Sequence, residues 1–497
     1  MFKNFPGYKL LEKIQKSNSH KRERKLPLNA IKLIFIVAIT SVIALLPTES
    51  FGIEGLTVIH QRIISLFVFA ALMWLTEAMP SWVTSMIVVT VMLLTVSTSA
   101  FNFLRPEDGA GLVPFKSIMA CFANPTIMLF IGGFVLAIGL TKVKLDVALA
   151  RVLLKPFGTR SEVVLLGFIL VTAIFSAFVS NTATAAMMLA FLTPVLKSLP
   201  ADGKGRIALA LAIPVGANLG GMITPIGTPP NMIALDYLSS QGMGISFVDW
   251  TIKMAPFVIV LLLLSWLLLR FLFPFKQKHI KIEIEGDIKW NRHTWSVVAA
   301  FAITIFMWMF GTDLWGVDTN VVAMIPIAIF CATGILTRRD LEEINWSVLW
   351  MVAGGFALGV ALNYKDANSV SLSSLIVNTV PFDNFSPLVV MILAGIICFG
   401  FSNFISHSAA TSLLVPVLGV VAGGLGASLD NYGGPQSMLV GIAIASSVSM
   451  ILPISTPPNA IAHSTGFIEQ KDMMKVGIII GLMGLALGYA MLIFIGF

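Results

Sequence analysis

The segment Pro225-Ile226-Gly227-Thr228-Pro229-Pro230-Asn231 lies inside an apolar run. A close copy, Pro453-Ile454-Ser455-Thr456-Pro457-Pro458-Asn459, follows 228 residues later. Two consecutive prolines remove two amide donors and clash with the preceding turn, so a helix carrying them must open there. Opening exposes carbonyl oxygens, which suit a hard cation such as Na⁺. It also predicts free amides at the N-terminus of the resumed helix, which suit an anion. A second doubled segment carries short polar side chains: Ser180-Asn181-Thr182-Ala183-Thr184-Ala185 and, 226 residues on, Ser406-His407-Ser408-Ala409-Ala410-Thr411. Their hydroxyls and amide can donate to or accept from a ligand. Ser176 and Ser402 each lie one turn before Ser180 and Ser406, on the same helical face. Neither motif contains Arg or Lys, so a bound dianion is balanced by helix N-termini, amide and hydroxyl donors, and a coupling cation. This is the chemistry of reversible ion binding. The chain has no His-Glu-x-x-His zinc motif, and Ser406 and His407 are sequence neighbours without a third member, so the motifs point away from an enzyme.

These segments need a scaffold, and composition indicates which. Of 497 residues 57% are hydrophobic and 11% charged, with mean hydropathy +0.90. That is too little polar surface for water but fits lipid. Spanning helices of ~20 residues are predicted near 28–47, 60–79, 81–99, 125–141, 206–238, 250–274, 294–312, 319–337, 346–363, 436–466 and 473–497. The stretches 162–199 and 386–427 are interrupted by the Ser-Asn-Thr and Ser-His-Ser tips. Backbone that breaks its helix at membrane depth must be buried in protein or line a cavity, so each is read as a re-entrant hairpin. Gly132-Gly133-Phe134 and Gly354-Gly355-Phe356, 222 residues apart, are a third doubled feature. Three nearly equal offsets in one order indicate a duplicated unit.

The net charge of +7 does not indicate a nucleic-acid partner, because the basic residues sit between apolar runs as in cytoplasmic loops. With the basic start of the chain inside, the clusters Lys142–Arg160, Lys197–Arg206, Lys276–Arg292, Arg338-Arg339 and Lys471–Lys475 all fall inside, provided both hairpins are re-entrant. The hairpins then enter from opposite faces and the repeats are inverted, a recurring plan of secondary transporters with a midplane site. The expected organisation is a cytoplasmic basic tail (1–27, not a cleaved signal), a first helix and loop (28–59), a first repeat (60–275), a cytoplasmic linker (276–293) and a second repeat (294–497), with the C-terminus outside. The fold class is an all-α polytopic membrane protein with inverted repeats, about 11 transmembrane helices and two re-entrant hairpins. Cys121, Cys331 and Cys398 have no metal or disulfide spacing and are expected as small buried hydrophobes. Glu77, Asp236 and His463 lack a doubled partner and are expected to be structural.

From the second span onward, the paired Ser-Asn-Thr and Thr-Pro-Pro motifs resemble the divalent anion–sodium symporter family, which includes carriers of succinate, malate, fumarate, α-ketoglutarate and citrate. The resemblance implies a homodimer whose protomers each have a scaffold domain and a transport domain moving as an elevator. It implies substrate contacts at Asn181, Thr182, Thr228 and Pro229, and a first sodium site of Ser176, Ser180, Asn181 and Gly227. In the second half it implies substrate contacts at His407, Ser408, Thr456 and Pro457, with Ser402, Ser406, His407 and Ser455 at the matching cation positions. The departure is His407, where the family has an amide. Imidazole offers Na⁺ no carbonyl oxygen and titrates near neutrality. The expectation is therefore a degenerate second cation site, and exchange of one C4/C5 dicarboxylate for another with weakened sodium coupling. Na⁺-coupled dicarboxylate or citrate symport is the alternative, with sulfate transport or a passive anion channel below it. The expected partners are small dicarboxylate anions and membrane lipid, Na⁺ being a possible coupling ion and no other cofactor expected.

Overall fold

The computed structural model describes residues 26–107, 109, 111–200, 203–280, 290–365, 370–381 and 385–497. The expected tail up to residue 25 lies outside the described residues, as do Lys281, Lys289 and Asp383. The described chain is helical, with isolated bridges and no strand. Its helices of eight or more residues open with α1 (Leu26–Leu45). The first half follows with α2 (Val58–Thr76), α3 (Ser81–Thr95), α4 (Pro125–Lys142), α5 (Leu145–Leu154), α6 (Ser161–Ser176), α7 (Asn181–Ser198), α8 (Gly205–Gly220), α9 (Pro229–Ser240) and α10 (Phe247–Leu272). The second half has α11 (Arg292–Trp315), α12 (Met324–Ala332), α13 (Trp346–Asn363), α14 (Leu372–Thr379), α15 (Pro387–Ser402), α16 (His407–Leu425), α17 (Gly434–Ser447), α18 (Pro457–Ser464) and α19 (Gln470–Phe494). Each helix from α2 to α10 has its counterpart, in order, from α11 to α19.

Local chemistry sets the boundaries that matter to the site. α7 and α16 start on serine caps: Ser180 Oγ accepts from Ala183 N at 3.3 Å, and Ser406 Oγ from Ala409 N at 3.2 Å. The expected spans 206–238 and 436–466 are each two helices, α8/α9 and α17/α18, with the Pro-Pro pair at the first two positions of the resumed helix. That is where a missing amide costs least. The expected span 319–337 is shorter: a single turn (Thr319–Val322) and then α12, which stops at Ala332 before Thr333-Gly334 turns the chain. The amphipathic α5 and the short α14 lie between the expected spans and were not anticipated.

The halves interlock reciprocally. α4 packs on α12 and α13 on α3; α7 packs on α18 and α16 on α9. Such exchange, in which each contact between the halves recurs between the counterparts of its two elements, is the mark of two-fold pseudosymmetry. The doubled Gly-Gly-Phe segments mark the crossings. A β-carbon on Gly132 would lie 2.5 Å from the Ala323 carbonyl oxygen, and one on Gly354 would collide with the Ser85 side chain. Only glycine permits these approaches. A pin at one end also joins the halves: Lys142, at the end of α4, pairs with buried Asp340 and donates to Ile335 O at 2.6 Å.

Among the described residues seven helices are long and apolar enough to cross a bilayer, α10 and α19 among them. Their outer faces carry large apolar side chains such as Phe271, Leu267, Leu482 and Phe494, which lipid can solvate. The chain is a multi-pass membrane protein. Cys121 and Cys398 are buried as expected, whereas Cys331 is exposed. It sits near the end of α12 beside exposed Ala332, on the outward face of an apolar helix.

Candidate functional site

The two hairpins and two breaks meet in one cavity of about 310 Å³. From the first half it is lined by Ser180, Asn181, Thr182, Gly227, Thr228 and Pro229; from the second by Ser406, His407, Ser408, Ser455, Thr456 and Pro457. Pro80, Ser81 and Trp82 at the start of α3, Phe130 and Phe134 of α4, and Asn345, Ser347 and Met351 at the start of α13 complete the wall. No Asp, Glu, Lys or Arg is among the lining residues, so any charge selectivity must come from dipoles and hydrogen bonds. The expected residues Ser176 and Ser402 do not line it. Both are fully buried beneath the hairpin tips.

The amide donors come from an unexpected place. The sequence reading assigned free amides to the helices resuming after each Thr-Pro-Pro. Those positions carry no N–H, because the prolines occupy the first two places of α9 and α18. The next amides are spent: Asn231 N donates to Thr228 O at 3.2 Å and Asn459 N to Thr456 Oγ1 at 3.2 Å. The free first-turn amides are those of the hairpin helices, at Asn181 and Thr182 of α7 and His407 and Ser408 of α16, since in each the serine cap takes only the third. The hairpin helices supply the donors as well as a share of the dipole field. The broken helices supply field, hydroxyls and carbonyls.

In the first half, oxygens converge on Asn181. Its amide lies 2.6 Å from Ser176 Oγ, and Ser176 Oγ also reaches Ala217 O at 2.7 Å. With the amide nitrogen turned to this point, Ser176 Oγ, Gly227 O and Ala217 O lie at 2.6, 3.1 and 3.2 Å from it. With the amide oxygen there, four oxygens face one another and only the single Ser176 proton lies between them. Turning the amide nitrogen inward satisfies the cluster without any added group, whereas with the oxygen inward the same four oxygens form a set that a cation such as Na⁺ would complete. Of the expected set, Ser176, Asn181 and Gly227 are in this cluster; Ser180 lines the cavity while its hydroxyl caps α7.

In the second half the corresponding groups satisfy one another. His407 Nε2–H donates to Ser449 O at 2.5 Å, since a carbonyl can only accept. Ser402 Oγ donates to Ser446 Oγ at 3.2 Å, which donates to His407 O at 2.9 Å. Ser455 Oγ donates to Asn403 O at 2.9 Å and accepts from Leu452 N at 3.1 Å. Ser406 caps α16.

Sequence reasoning missed Asn218 of α8, which lines the cavity and bridges the halves. Its Nδ2 donates to Thr456 Oγ1 at 3.2 Å and to Asn459 Oδ1 at 3.1 Å. A buried amide ten residues before Thr228, inside an apolar helix, was the available signal. A second, larger cavity of about 1140 Å³ lies between the start of α4 (Asn124, Thr126), the middle of α13 (Gly355, Phe356) and the turn at Asp318 and Asn320. These positions correspond, under the pseudo-two-fold, to the start of α13, the middle of α4 and the start of α3 at the first cavity. Asp236 of α9 faces it and accepts from Thr126 Oγ1 at 2.9 Å, a bond between α9 and α4.

Residues 71–432 match the sequence profile of a family described as citrate transporter (CitMHS). An uncharacterized transporter of Haemophilus influenzae is 30% identical over 469 residues, covering 91% of this chain and 94% of the relative. The sodium-dependent dicarboxylate transporter SdcS of Staphylococcus saprophyticus is 28% identical over 461 residues, 85% and 83% of the two chains. The inorganic phosphate transporter PHO87 of Saccharomyces cerevisiae is 28% identical over 461 residues, 90% of this chain but 47% of the yeast protein. The crystal structure of the Alcanivorax borkumensis YdaH transporter, described as having an unusual topology, shares the fold at TM-score 0.51 and 13% identity, covering 86% of this chain and 97% of that one. The expected kinship with sodium-linked divalent anion carriers is borne out, and the chain belongs to the citrate transporter family of membrane transporters.

Proposed function

We propose that this transporter carries C4/C5 dicarboxylates such as succinate, malate, fumarate and α-ketoglutarate, exchanging one for another with weakened sodium coupling. The observation that carries the reading is the meeting of two similar half-sites, both rich in donors and free of side-chain charge, in one cavity of about 310 Å³. A ligand with an acceptor at each end matches it. Asn181, Thr182, Thr228 and Pro229 form the first half-site and His407, Ser408, Thr456 and Pro457 the second. A cation at Ser176, Asn181 and Gly227, with Ser180 adjacent, neutralises part of the dianion's charge. The second cation position, Ser402, Ser406 and Ser455, is degenerate, because His407 offers a cation no carbonyl oxygen and its N–H stands where a cation's charge is needed. Na⁺-coupled symport of a dicarboxylate or citrate is the second reading, favoured by the intact cluster at Asn181 and by the kinship with SdcS.

The starts of α3 and α13 line the cavity, and we read them as its mouth, on the side where the basic loops are expected. With the N-terminus inside and the C-terminus outside, this is an inward-open state in a plasma or inner membrane. The second cavity, at the symmetry-related scaffold walls, is the path to the other face. An elevator carrying the hairpins, α8–α10 and α17–α19 past a dimeric scaffold connects them, with repeats 60–275 and 294–497 as the symmetric units.

Proteoliposomes loaded with succinate decide between the two coupling modes. Labelled succinate uptake is expected to rise severalfold with internal succinate and to persist without Na⁺. Uptake that collapses without Na⁺ and ignores internal substrate selects symport. Saturation with trans-stimulation separates a carrier from a channel.

A further inference from the structure

We infer that Asn218 is a positioning residue of the site: it commits the Thr456 hydroxyl to donate into the cavity, while the equivalent Thr228 stays uncommitted. The ligand identity used here rests on the dicarboxylate reading above.

Several groups around Thr456 have a polarity beyond choice. Asn459 Nδ2 donates to the backbone carbonyls of Met450 (2.9 Å) and Leu452 (3.1 Å), which fixes Asn459 Oδ1 as the opposite end of that amide. An oxygen can only accept, so the Asn218 atom 3.1 Å from it is a nitrogen, and that same nitrogen reaches Thr456 Oγ1 at 3.2 Å. Thr456 Oγ1 also accepts from Asn459 N at 3.2 Å. A hydroxyl has two lone pairs and one proton. Both lone pairs are filled, so the proton must point elsewhere. Thr456 is 4% exposed and lines the cavity, so its proton is left for a ligand acceptor.

The first half lacks this device. The segments 211–231 and 439–459 align without a gap, which sets Asn218 opposite Ser446. Ser446 is too short to reach across, and donates to His407 O. Asn231 still ties its own break through Gly221 O (3.1 Å) and Thr224 O (2.9 Å), but its Oδ1 is buried without a partner, and Asn231 N is bonded to Thr228 O instead of to the hydroxyl. Thr228 Oγ1 can therefore donate or accept. The second half-site demands a ligand acceptor at Thr456; the first tolerates an acceptor or a donor at Thr228.

Asn218 acts through Thr456, so a double-mutant cycle tests it. The readout is KM and maximal rate for labelled succinate uptake into succinate-loaded proteoliposomes. Thr456→Val is expected to raise KM about tenfold, the loss of one hydrogen bond to a charged ligand. Asn218→Ala is expected to raise KM roughly threefold to tenfold with the maximal rate nearly unchanged, and to add nothing in the Thr456→Val background while keeping its full effect in a Thr228→Val background. Thr456→Ser is expected to stay near the unaltered protein. Multiplicative effects of Asn218→Ala and Thr456→Val, or a loss of maximal rate at constant KM, overturn the inference. Asn218→Ser, which repeats the residue found at position 446, provides the same cycle if the alanine variant does not purify as folded protein. If the unaltered protein shows no trans-stimulated dicarboxylate uptake, the dicarboxylate reading fails, and the same cycle on citrate or phosphate, whichever is transported, still decides the role of Asn218.

Discussion

The two half-sites have the same architecture and differ in whether their tip side chain can change polarity. The Asn181 amide can turn its nitrogen to Ser176 Oγ, Gly227 O and Ala217 O and satisfy them, or turn its oxygen to them and leave an oxygen cluster for a cation to complete. At His407 an imidazole N–H, two serines and a backbone carbonyl complete one another with nothing added. A duplicated fold thus places one switchable and one fixed set of oxygens at equivalent positions. What differs is Asn181 against His407, together with Asn218 against Ser446, and the expected consequence is that cation dependence resides in the first half.

The largest effect expected from breaking this asymmetry is at Asn181. Asn181→Ala removes a coordinating oxygen and a ligand donor together, and uptake is expected to fall about a hundredfold or more; His407→Ala is expected to cost about tenfold. Equal losses would show that the halves work alike. Next, His407→Asn restores an amide to the second tip. It is expected to make uptake more steeply dependent on Na⁺, with a higher Hill coefficient in a sodium titration. An unchanged titration would mean that Ser449 and Ser455 keep the site closed by themselves. A smaller contrast is expected beneath the tips: Ser176→Ala should raise the half-saturating Na⁺ concentration about tenfold, and Ser402→Ala should leave it within about twofold.

The smallest effect on transport lies outside both half-sites and serves as the control. Burial pushes the Asp340 carboxyl up, but Lys142 and Thr337 outweigh it and hold it below the usual carboxylate range. A carboxylate with a lowered folded value contributes stability above its unfolded value near ~4 and loses that contribution as pH falls through the folded value. Asp340→Asn leaves Lys142 without its charge partner, and is expected to cost about 3 kcal/mol at neutral pH. Thermal melts in detergent should show this gap closing as pH falls below the usual carboxylate range, with the relative affinity for substrate and Na⁺ unchanged. A shift in sodium dependence would mean that the pin and the half-sites are coupled.

Much of the candidate site was legible because its residues break rules locally. Two prolines in an apolar run, and Ser-Asn-Thr where a helix should continue, are anomalies readable without neighbours. Their repetition at offsets of 226 and 228 residues tied the four segments together. Asn218 was not legible in the same way: a lone amide in an apolar helix has several uses, and its use depends on Thr456, 238 residues away. The misplaced amides had a different cause. The proline that opens a helix also deletes the donor that the opening was expected to free, and the hairpin caps had to be seen to find where the donors were. Cys331 shows the limit of hydropathy, which does not distinguish burial in protein from contact with lipid.

Composition and patterning by themselves determined the membrane class, the duplication and the four segments that interrupt their helices, because each follows from short-range chemistry: desolvation of apolar runs, the missing proline amide, and serine capping. Tertiary structure alone decided which interruptions face one another, which amide ends point inward, and which hydroxyls retain a proton to give. Those are questions of where the second partner of each polar group comes from, and in this fold it often comes from the other half of the chain.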